Sequence, residues 1–473
     1  MREGKKIAFQ TLISYGGRIV ASLFGFVAVS LMTRALGREQ FGEYSTILAY
    51  LSLFMILADL GLQPLLTREI SCTKNGEGET VSNFFTLRVL SSLFLLLGGF
   101  TAIFLFPYSK NIQLGTGIGM IGFFFLSASQ LLLSVFQKHL AMHLASLGEI
   151  LGRAAQLFFV FLVFRGHGGL FLFLLAMSGA SFLIFFFHFV FARLYTRIRF
   201  NFDILEIRKI VRVSWPIALS LVLTLIYFKI DTIFLSFMKT QEDVGLYGVA
   251  YRILENLIFF PAIFSGIVMP LLSRETTAGN EDFKRVFKKA FHAIAIFAAP
   301  VTCGGFLLSY SIINVIGGKE FLASGAPMQA LFLAVGLIFF GNLFGRAIIA
   351  LDLQKQAMWV YLFGVLMNVV LNFMFIPKYS YIGAAWTTVA TELMITVFLF
   401  WLIRKRTGVP LYIGNFGKPA LAALGMVAVL FPAVSPMKTP LPFLGFGEAI
   451  IGGAVVYFVI LYAMGGVKKR DFF

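Results

Sequence analysis

Apolar residues form long, almost uninterrupted runs that follow one another along nearly the whole chain. Each run contains about 20 residues or more, and a helix of that length crosses the roughly 30 Å of hydrocarbon in a bilayer. The strands of a transmembrane barrel would instead alternate apolar and polar residues over about ten positions. The pattern therefore predicts an all-α polytopic membrane protein, in which no stretch remains for a soluble domain.

We predict fourteen transmembrane helices from these runs. Their ranges, in chain order, are 7–33, 42–66, 83–107, 115–137, 146–165, 168–193, 212–238, 245–272, 286–310, 326–351, 357–377, 381–403, 415–434 and 443–465. Because the number of spans is even, both termini are predicted on the same side of the membrane.

Basic residues are distributed unevenly over the segments between these spans. The chain is 59% hydrophobic and 13% charged, and its net charge is +17. Of its 39 Lys and Arg residues, 24 fall on the side that carries both termini and 8 on the opposite side. By the positive-inside rule, the side richer in Lys and Arg is cytoplasmic. The basic balance therefore follows from topology, and nucleic acid is not a predicted partner.

Six residues near the end of span 2 recur near the end of span 8 with one exchange. PLLTRE occupies residues 64–69 and PLLSRE occupies 270–275, and both spans open on a hydrophobic-Gly-x-Tyr element, at 41–44 and 244–247. A shift of six spans preserves orientation, so the halves are predicted to be parallel repeats related by an axis along the membrane normal.

This repeat sets the predicted domain organisation. Spans 1–6 form an N-lobe (residues 1–200), spans 7–12 form a C-lobe (201–406), and spans 13–14 are two extra C-terminal helices (407–473). Gene duplication without functional meaning is the simpler explanation. Two parallel bundles around a central cavity are also the geometry of a transporter that opens to alternate sides of the membrane.

Five short motifs resemble those of a known family. They are the Arg-x-Leu-Gly-x-x-x-Phe-Gly-x-Tyr run of 34–44, Asp59-Leu60-Gly61-Leu62, Lys229-Ile230-Asp231, Gly245-Leu246-Tyr247 and the 270–274 segment. With them the chain resembles, over essentially its whole length, the polysaccharide-transporter branch of the multidrug/oligosaccharidyl-lipid/polysaccharide (MOP) flippase superfamily.

The resemblance implies a V-shaped pair of six-helix lobes, with two extra helices as in the fourteen-span members that include lipid II flippases. It also implies a bacterial or archaeal cytoplasmic membrane and a polyprenyl-diphosphate-linked oligosaccharide as the transported partner. Membrane lipids and glycan-assembly proteins are further expected partners.

Arg18 is the first of the charged residues that the pattern places inside a span. It lies about 16 Å along a helix that begins near Ile7, close to the bilayer midplane, where a charge costs roughly 2.5–3.5 kcal/mol. A guanidinium binds two phosphate oxygens at once, so Arg18 is a candidate contact for a diphosphate. An internal ion pair, for example with Asp59, is the alternative.

Three further charges are predicted as substrate contacts. Lys229 and Asp231 lie deep in span 7 and point about 200° apart around the helix, so they cannot simply neutralise each other. Arg252 can contact substrate or pair locally with Glu255. Glu149 and Arg153, four positions apart on span 5, can form a comparable local pair.

Glu392 and Asp59 are candidates for ion coupling. Glu392 lies in the middle of span 12 beside four threonines (Thr387, Thr388, Thr391 and Thr396), where a buried carboxyl is suited to taking up H⁺ or binding Na⁺. Asp59 is nearer the cytoplasmic end and also fits a packing or gating role. Three other basic residues, Arg88, Arg346 and Lys418, lie near span ends and are expected to extend their side chains to water.

These features together favour a flippase that is not an enzyme and needs no cofactor. A multidrug or small-metabolite antiporter of the same superfamily is the alternative, although basic intramembrane residues suit cationic drugs poorly. A membrane glycosyltransferase or polymerase is less favoured because the outer connections are short. His139 and His143 lack the Glu of a zinc-protease motif and are predicted to be surface residues, so no metal site is expected.

Overall fold

The structure is a computed structural model that describes residues 2–72, 76–278, 280–410, 412–434 and 440–466. Within these ranges the chain is almost wholly helical and contains no strand, which confirms the all-α prediction. The helices are α1 (Arg2–Asp59), α2 (Leu62–Cys72), α3 (Glu77–Ala102), α4 (Lys110–Lys138), α5 (Met142–Arg165), α6 (Leu170–Ala192), α7 (Ile204–Met238), α8 (Gln241–Ala278), α9 (Asn280–Gly317), α10 (Gly325–Ala350), α11 (Gln354–Thr407), α12 (Ile413–Val434) and α13 (Phe443–Ala463). Short 3₁₀ helices occupy Ile103–Leu105 and Lys319–Ser324.

Two helices each contain two predicted spans. α1 has 58 residues and α11 has 54, whereas one crossing needs about 20. Each is interrupted at a single residue of positive φ, Gly37 (65°) in α1 and Ser380 (51°) in α11. Both interruptions lie where the sequence predicts the end of one span and the start of the next.

Eleven helical segments in the described part of the chain are long and apolar enough to span a membrane, and the two longest have 57 and 54 residues. The predicted span 212–238 lies in α7, and the side chains of residues 215–227 are outside the described part. The count of fourteen therefore stays a prediction, while the multi-pass architecture is established.

The second span ends earlier than predicted. The sequence predicts one helix over 42–66, but α1 ends at Asp59 and α2 begins at Leu62. Leu60 (φ 49°) and Gly61 (φ 68°) turn the chain between them. α2 then buries Leu62, Leu65, Leu66 and Ile70 on one face, so it packs as an amphipathic helix rather than extending the span.

The chain forms two compact units, Met1–Ser236 and Phe237–Phe473. The same helix pairs pack within each unit, as the repeat predicts. In the first unit α1 packs on α3 and α4, α3 on α4, and α4 on α6; in the second, α8 packs on α9 and α10, α9 on α10, and α10 on α11. The domain boundaries proposed from the repeat, at residues 200 and 406, remain predictions.

The two C-terminal helices pack on α9. The Tyr457 hydroxyl of α13 donates to the Ile296 carbonyl at 2.8 Å, and His292 Nε2 lies 2.8 Å from the Gly466 carbonyl oxygen. Ala422, Met426 and other apolar residues bury a shared core with α9. These helices are therefore an integral part of the second unit.

Candidate functional site

A buried ion pair lies in the first unit where α1 ends. Arg88 Nη1 of α3 is 2.5 Å from Asp59 Oδ1 of α1, and the Arg88 side chain has no exposed surface. Arg88 Nε also donates to the Ser127 carbonyl of α4 at 3.2 Å. One guanidinium therefore joins three helices.

Serine hydroxyls extend this contact. Ser91 donates to the Ala58 carbonyl at 3.0 Å, and the hydroxyls of Ser92 and Ser127 are 2.6 Å apart. The expectation that Arg88 extends to water was wrong, because the carboxylate of Asp59 and the Ser127 carbonyl satisfy its guanidinium inside the helix bundle. The partner that the structure gives to Asp59 is Arg88 rather than Arg18.

Arg18 is partly exposed on α1, next to a close helix contact. A Cβ added at Gly17 would lie 3.0 Å from Ser146 Cβ of α5, so α1 and α5 approach closely at this level. Neighbouring positions on a helix differ by about 100°, so Arg18 lies on a face beside the α5 contact. Its role as a substrate contact stays a prediction.

The charges of span 7 differ in burial. Lys229 is partly exposed, whereas Asp231 is only 2% exposed. This difference agrees with the expectation that the two side chains point in different directions around α7.

Of the two local pairs predicted, one is present. Arg252 Nη1 is 3.4 Å from Glu255 Oε2, and both side chains are about one-third exposed or less. Arg153 instead donates to Gln156 Oε1 at 2.8 Å. Arg252 is thus held by a local carboxylate and still reaches the surface of α8.

The second unit contains a polar network inside α11, on both sides of the Ser380 break. Asn372 Nδ2 donates to Asn368 Oδ1 at 2.9 Å, and Asn368 Nδ2 makes a longer contact of 3.5 Å to Thr391 Oγ1. The carboxyl-bearing residue, Glu392, is 5% exposed. All four threonines that the sequence places near it are also buried: Thr387, Thr388, Thr391 and Thr396.

Tyr361 and Arg346 belong to the same region. A Cβ added at Gly345, next to Arg346 on α10, would lie 3.4 Å from the Tyr361 hydroxyl oxygen of α11. The Thr387 hydroxyl is buried and has no hydrogen-bond partner among the described residues. A buried carboxyl near hydroxyl and amide side chains can take up a proton or bind a small cation, and the ion-coupling role of Glu392 stays a prediction.

Sequence reasoning missed Asn368, Asn372 and Tyr361. The asparagines are four positions apart in an apolar span, which places them on one helix face, and a polar residue inside a span is itself a functional signal. That spacing could have identified them. It could not have identified Arg88 as the partner of Asp59, because 29 positions separate the two residues.

Groups outside the spans make conventional surface contacts. Glu77 lies 2.6 Å from Lys138 Nζ and 2.8 Å from His139 Nε2, so His139 belongs to an ion network at the end of α4. In the connection between α3 and α4, burial raises the pKa of Tyr108 to about 12, and its hydroxyl is 2.7 Å from Ser236 Oγ. Among the described residues, no group of three or more His, Cys, Asp or Glu side chains could hold a metal.

Repeated membrane-spanning helices, charged and amide side chains buried within them, and two units with matching helix pairs define a multi-pass membrane transporter. The family described as polysaccharide biosynthesis protein matches residues 8–276, more than half of the chain. The chain belongs to this family, within the MOP flippase superfamily. A second family, MatE, matches residues 216–374.

Relatives match over most of the chain. The probable flippase AglR of Haloferax volcanii is 23% identical over 482 positions, which cover 98% of each chain. The probable low-salt glycan biosynthesis flippase Agl15 of the same organism is 22% identical and covers 87% of each. The structure of the lipid II flippase MurJ in an inward closed conformation has a TM-score of 0.78 at 16% identity and covers 97% of this chain and 98% of its own. The fold and the prediction of a transporter rather than an enzyme are thereby confirmed.

Proposed function

We propose that the protein is a flippase that moves a polyprenyl-diphosphate-linked oligosaccharide from the cytoplasmic to the outer leaflet by alternating access. The observation that carries this proposal is the match to probable flippases over nearly the full length of both chains. The coarser part, transport by a multi-pass membrane protein, rests on the family itself.

Four residues are proposed as substrate contacts. Arg18, Lys229 and Arg252 supply cations for the diphosphate oxygens, and a guanidinium can bind two of them at once. All three are partly exposed, as groups that bind a ligand must be. Asp231 is buried and lies two positions after Lys229. We propose that it fixes the local arrangement of span 7.

The coupling step is assigned to Glu392. Its burial among threonine hydroxyls supports exchange of H⁺ or Na⁺ there. Asp59 is the second candidate, but its carboxylate already lies against Arg88, so ion binding at Asp59 would first require that pair to open.

Transbilayer movement of a labelled polyprenyl-diphosphate oligosaccharide, in vesicles that contain the purified protein, tests the proposal. We expect wild-type movement and a loss of about tenfold or more in Arg18→Ala, because the midmembrane cation is removed. Arg285→Ala is the matched control, since Arg285 is 67% exposed and pairs with Asp282 at a helix start. Movement that is equal in Arg18→Ala and wild type removes Arg18 from the site.

The MatE match over residues 216–374 supports one alternative, a cation-coupled antiporter for drugs or small metabolites. The same vesicles distinguish the two functions. Uptake of cationic dyes against an ion gradient, with no movement of any lipid-linked glycan, would replace the flippase proposal. Glu392→Gln distinguishes transport from ion coupling. This variant should still move the lipid-linked glycan down its own concentration gradient, but an ion gradient should no longer change the rate.

A further inference from the structure

Large apolar side chains are exposed between α6 and α7, outside any predicted span. Span 6 is predicted to end at residue 193 and span 7 to begin at residue 212. We call residues 193–205 the linker. Five of its side chains are 63–80% exposed: Leu194, Phe200, Phe202, Ile204 and Leu205. A cluster of exposed apolar side chains of this size indicates a contact surface for a protein or a membrane.

Aromatic contacts place the linker beside the ends of two predicted spans. The ring centroid of Phe200 is 5.7 Å from that of Phe85, which is 6.0 Å from that of Phe189. Phe85 and Phe189 lie inside spans 3 and 6, within roughly one helical turn of their cytoplasmic ends. Arg193 Cζ lies 5.2 Å from the Phe189 ring centroid. The exposed apolar residues therefore adjoin the predicted boundary of the hydrocarbon.

Hydrogen bonds to α3 hold the linker in place. The Ser82 hydroxyl donates to the Arg197 carbonyl at 3.4 Å, and the Arg199 backbone N–H donates to Ser82 Oγ at 3.0 Å. Ile198, between the two arginines, is 3% exposed, whereas both arginines are exposed. This alternation is typical of an extended segment, in which every second side chain points to the same side. Two guanidinium groups are thus presented together, away from α3.

The charge of the linker favours an anionic partner. It contains three arginines and one acid, and the acid, Asp203, accepts from two backbone N–H groups at the start of α7. Arg193, Arg197 and Arg199 form no ion pair with a residue that the structure describes. Exposed arginines next to exposed apolar side chains match a membrane interface, where anionic headgroups lie against acyl chains.

We propose that the linker is an interfacial anchor that binds anionic phospholipids in the leaflet on the predicted cytoplasmic side. The three arginines bind the headgroup phosphates, and the exposed apolar side chains enter the boundary of the acyl chains. A headgroup with no ammonium group leaves its phosphate charge uncompensated, so the arginines favour anionic over zwitterionic lipids. The proposal is independent of what the protein transports.

A fluorescent label in the linker tests the proposal on the purified full-length protein in neutral detergent. Cys72→Ser/Cys303→Ser/Phe202→Cys provides one thiol there for the fluorophore, and phospholipids with brominated acyl chains quench it on contact. We expect saturable quenching by added lipid. Brominated phosphatidylglycerol should reach half-quenching at a mole fraction about fivefold lower than brominated phosphatidylcholine, or lower still, since one basic residue near an anionic surface contributes about fivefold in affinity.

Arg197→Gln/Arg199→Gln in the labelled protein should remove most of this preference, because it replaces two exposed side chains and keeps the backbone bonds to Ser82. The matched control is Arg404→Gln/Arg406→Gln, which replaces two exposed arginines, also two positions apart, in the last turn of α11. The control should keep the preference for phosphatidylglycerol. Thermal unfolding in detergent without lipid checks that both variants are folded.

Three results overturn the proposal. Absence of quenching by either lipid shows that the linker does not contact lipid. Equal half-quenching by the two lipids in the labelled protein shows that the linker does not select anionic headgroups. A preference that Arg197→Gln/Arg199→Gln retains as fully as the control shows that these arginines do not bind them.

Discussion

Arg88 contributes to stability through its pair with Asp59, and the structure makes this contribution measurable. Arg88→Met leaves the Asp59 carboxylate, which is 20% exposed, without its buried cation. Removing one partner of a buried pair is strongly destabilising, so we expect a loss of about 3 kcal/mol in thermal unfolding in detergent. Arg88→Met/Asp59→Leu should recover most of it, because no unpaired charge remains.

The exposed pair Arg285–Asp282 is the control for this cycle. Its side chains are 67% and 38% exposed, and exposed pairs contribute about 0–1 kcal/mol. Arg285→Met should therefore change the unfolding midpoint little. If Arg88→Met is as mild as Arg285→Met, the pair at the end of α1 is not a source of stability.

At the residue scale, the sequence identified neighbours that are close in the chain but not partners that are far apart in it. The threonines near Glu392 were found because they are close to it in sequence, and the structure buries Glu392 and each of the four. Arg88 was misassigned because the position of a basic residue near a span end predicts exposure, whereas its actual partner depends on how three helices pack. Local spacing determines local contacts, and tertiary contacts need the fold.

Two single-residue breaks distinguish the long helices, and they differ in how well the residue suits its conformation. Gly37 has a φ of 65°, which costs a glycine little, whereas Ser380 has a φ of 51° and a buried hydroxyl without a partner in the described structure. Ser380→Gly should therefore raise stability by about 1 kcal/mol, and Gly37→Ser should lower it by a similar amount. Thermal unfolding of both variants measures the two changes in stability. Changes of the same sign in Ser380→Gly and Gly37→Ser would contradict the prediction.

Close packing of α5 against α6 depends on a missing side chain. A Cβ added at Gly152 would lie 2.1 Å from Ile184 Cγ1, so either the Ile184 side chain or one of the two helices must shift. Gly152→Ala should destabilise the protein by about 1–3 kcal/mol. Gly98→Ala on α3, where nothing lies within 4 Å of the added atom, should be neutral or slightly stabilising. Similar unfolding midpoints for the two variants would show that α5 and α6 tolerate the added volume.

At the element scale the sequence predicted helix positions well, because the hydrocarbon thickness sets their length and the apolar runs are long. The predicted ends 357–377 and 381–403 enclose the Ser380 break. The turn at Leu60–Gly61 was missed because it lies inside an apolar run, and a leucine with positive φ leaves no compositional signal.

For the whole molecule, the predicted orientation can be tested with the chain's own cysteines. Cys72 is exposed and lies in a segment predicted to be cytoplasmic, and Cys303 is a partly buried free thiol. In Cys303→Ser, a membrane-impermeant maleimide added to intact cells should not label Cys72, because the bilayer separates the reagent from the cytoplasmic side. Labelling should appear once the membrane is opened with detergent.

The control for this experiment places the thiol on the opposite side of the membrane. Cys72→Ser/Cys303→Ser/Lys110→Cys places one thiol at an exposed position on the predicted outer side. It should be labelled in intact cells. The inverse labelling pattern in the two variants would contradict the predicted orientation and place both termini on the outer side.

The repeat is the property of the whole molecule that the sequence predicted best. A hexapeptide and a four-residue element, each found twice, indicated matching halves, and both units pair their helices in the same way. Burial gives a physical reason for the repeated hydrophobic-Gly-x-Tyr element. Its apolar and aromatic residues are all buried: Phe41, Tyr44, Val244 and Tyr247. They are packing signals rather than ligand contacts.

The breaks at Gly37 and Ser380 also affect how the protein can be recognised from outside the cell. Each lies on the predicted outer side and replaces a whole loop with one residue. Proteases and antibodies prefer exposed, adaptable loop tips, and epitope tags are tolerated there. At Gly37 and Ser380 a protease or an antibody would meet helix ends instead of a loop. We therefore expect these two positions to be poor sites for proteolysis, antibody binding or insertion of an epitope tag.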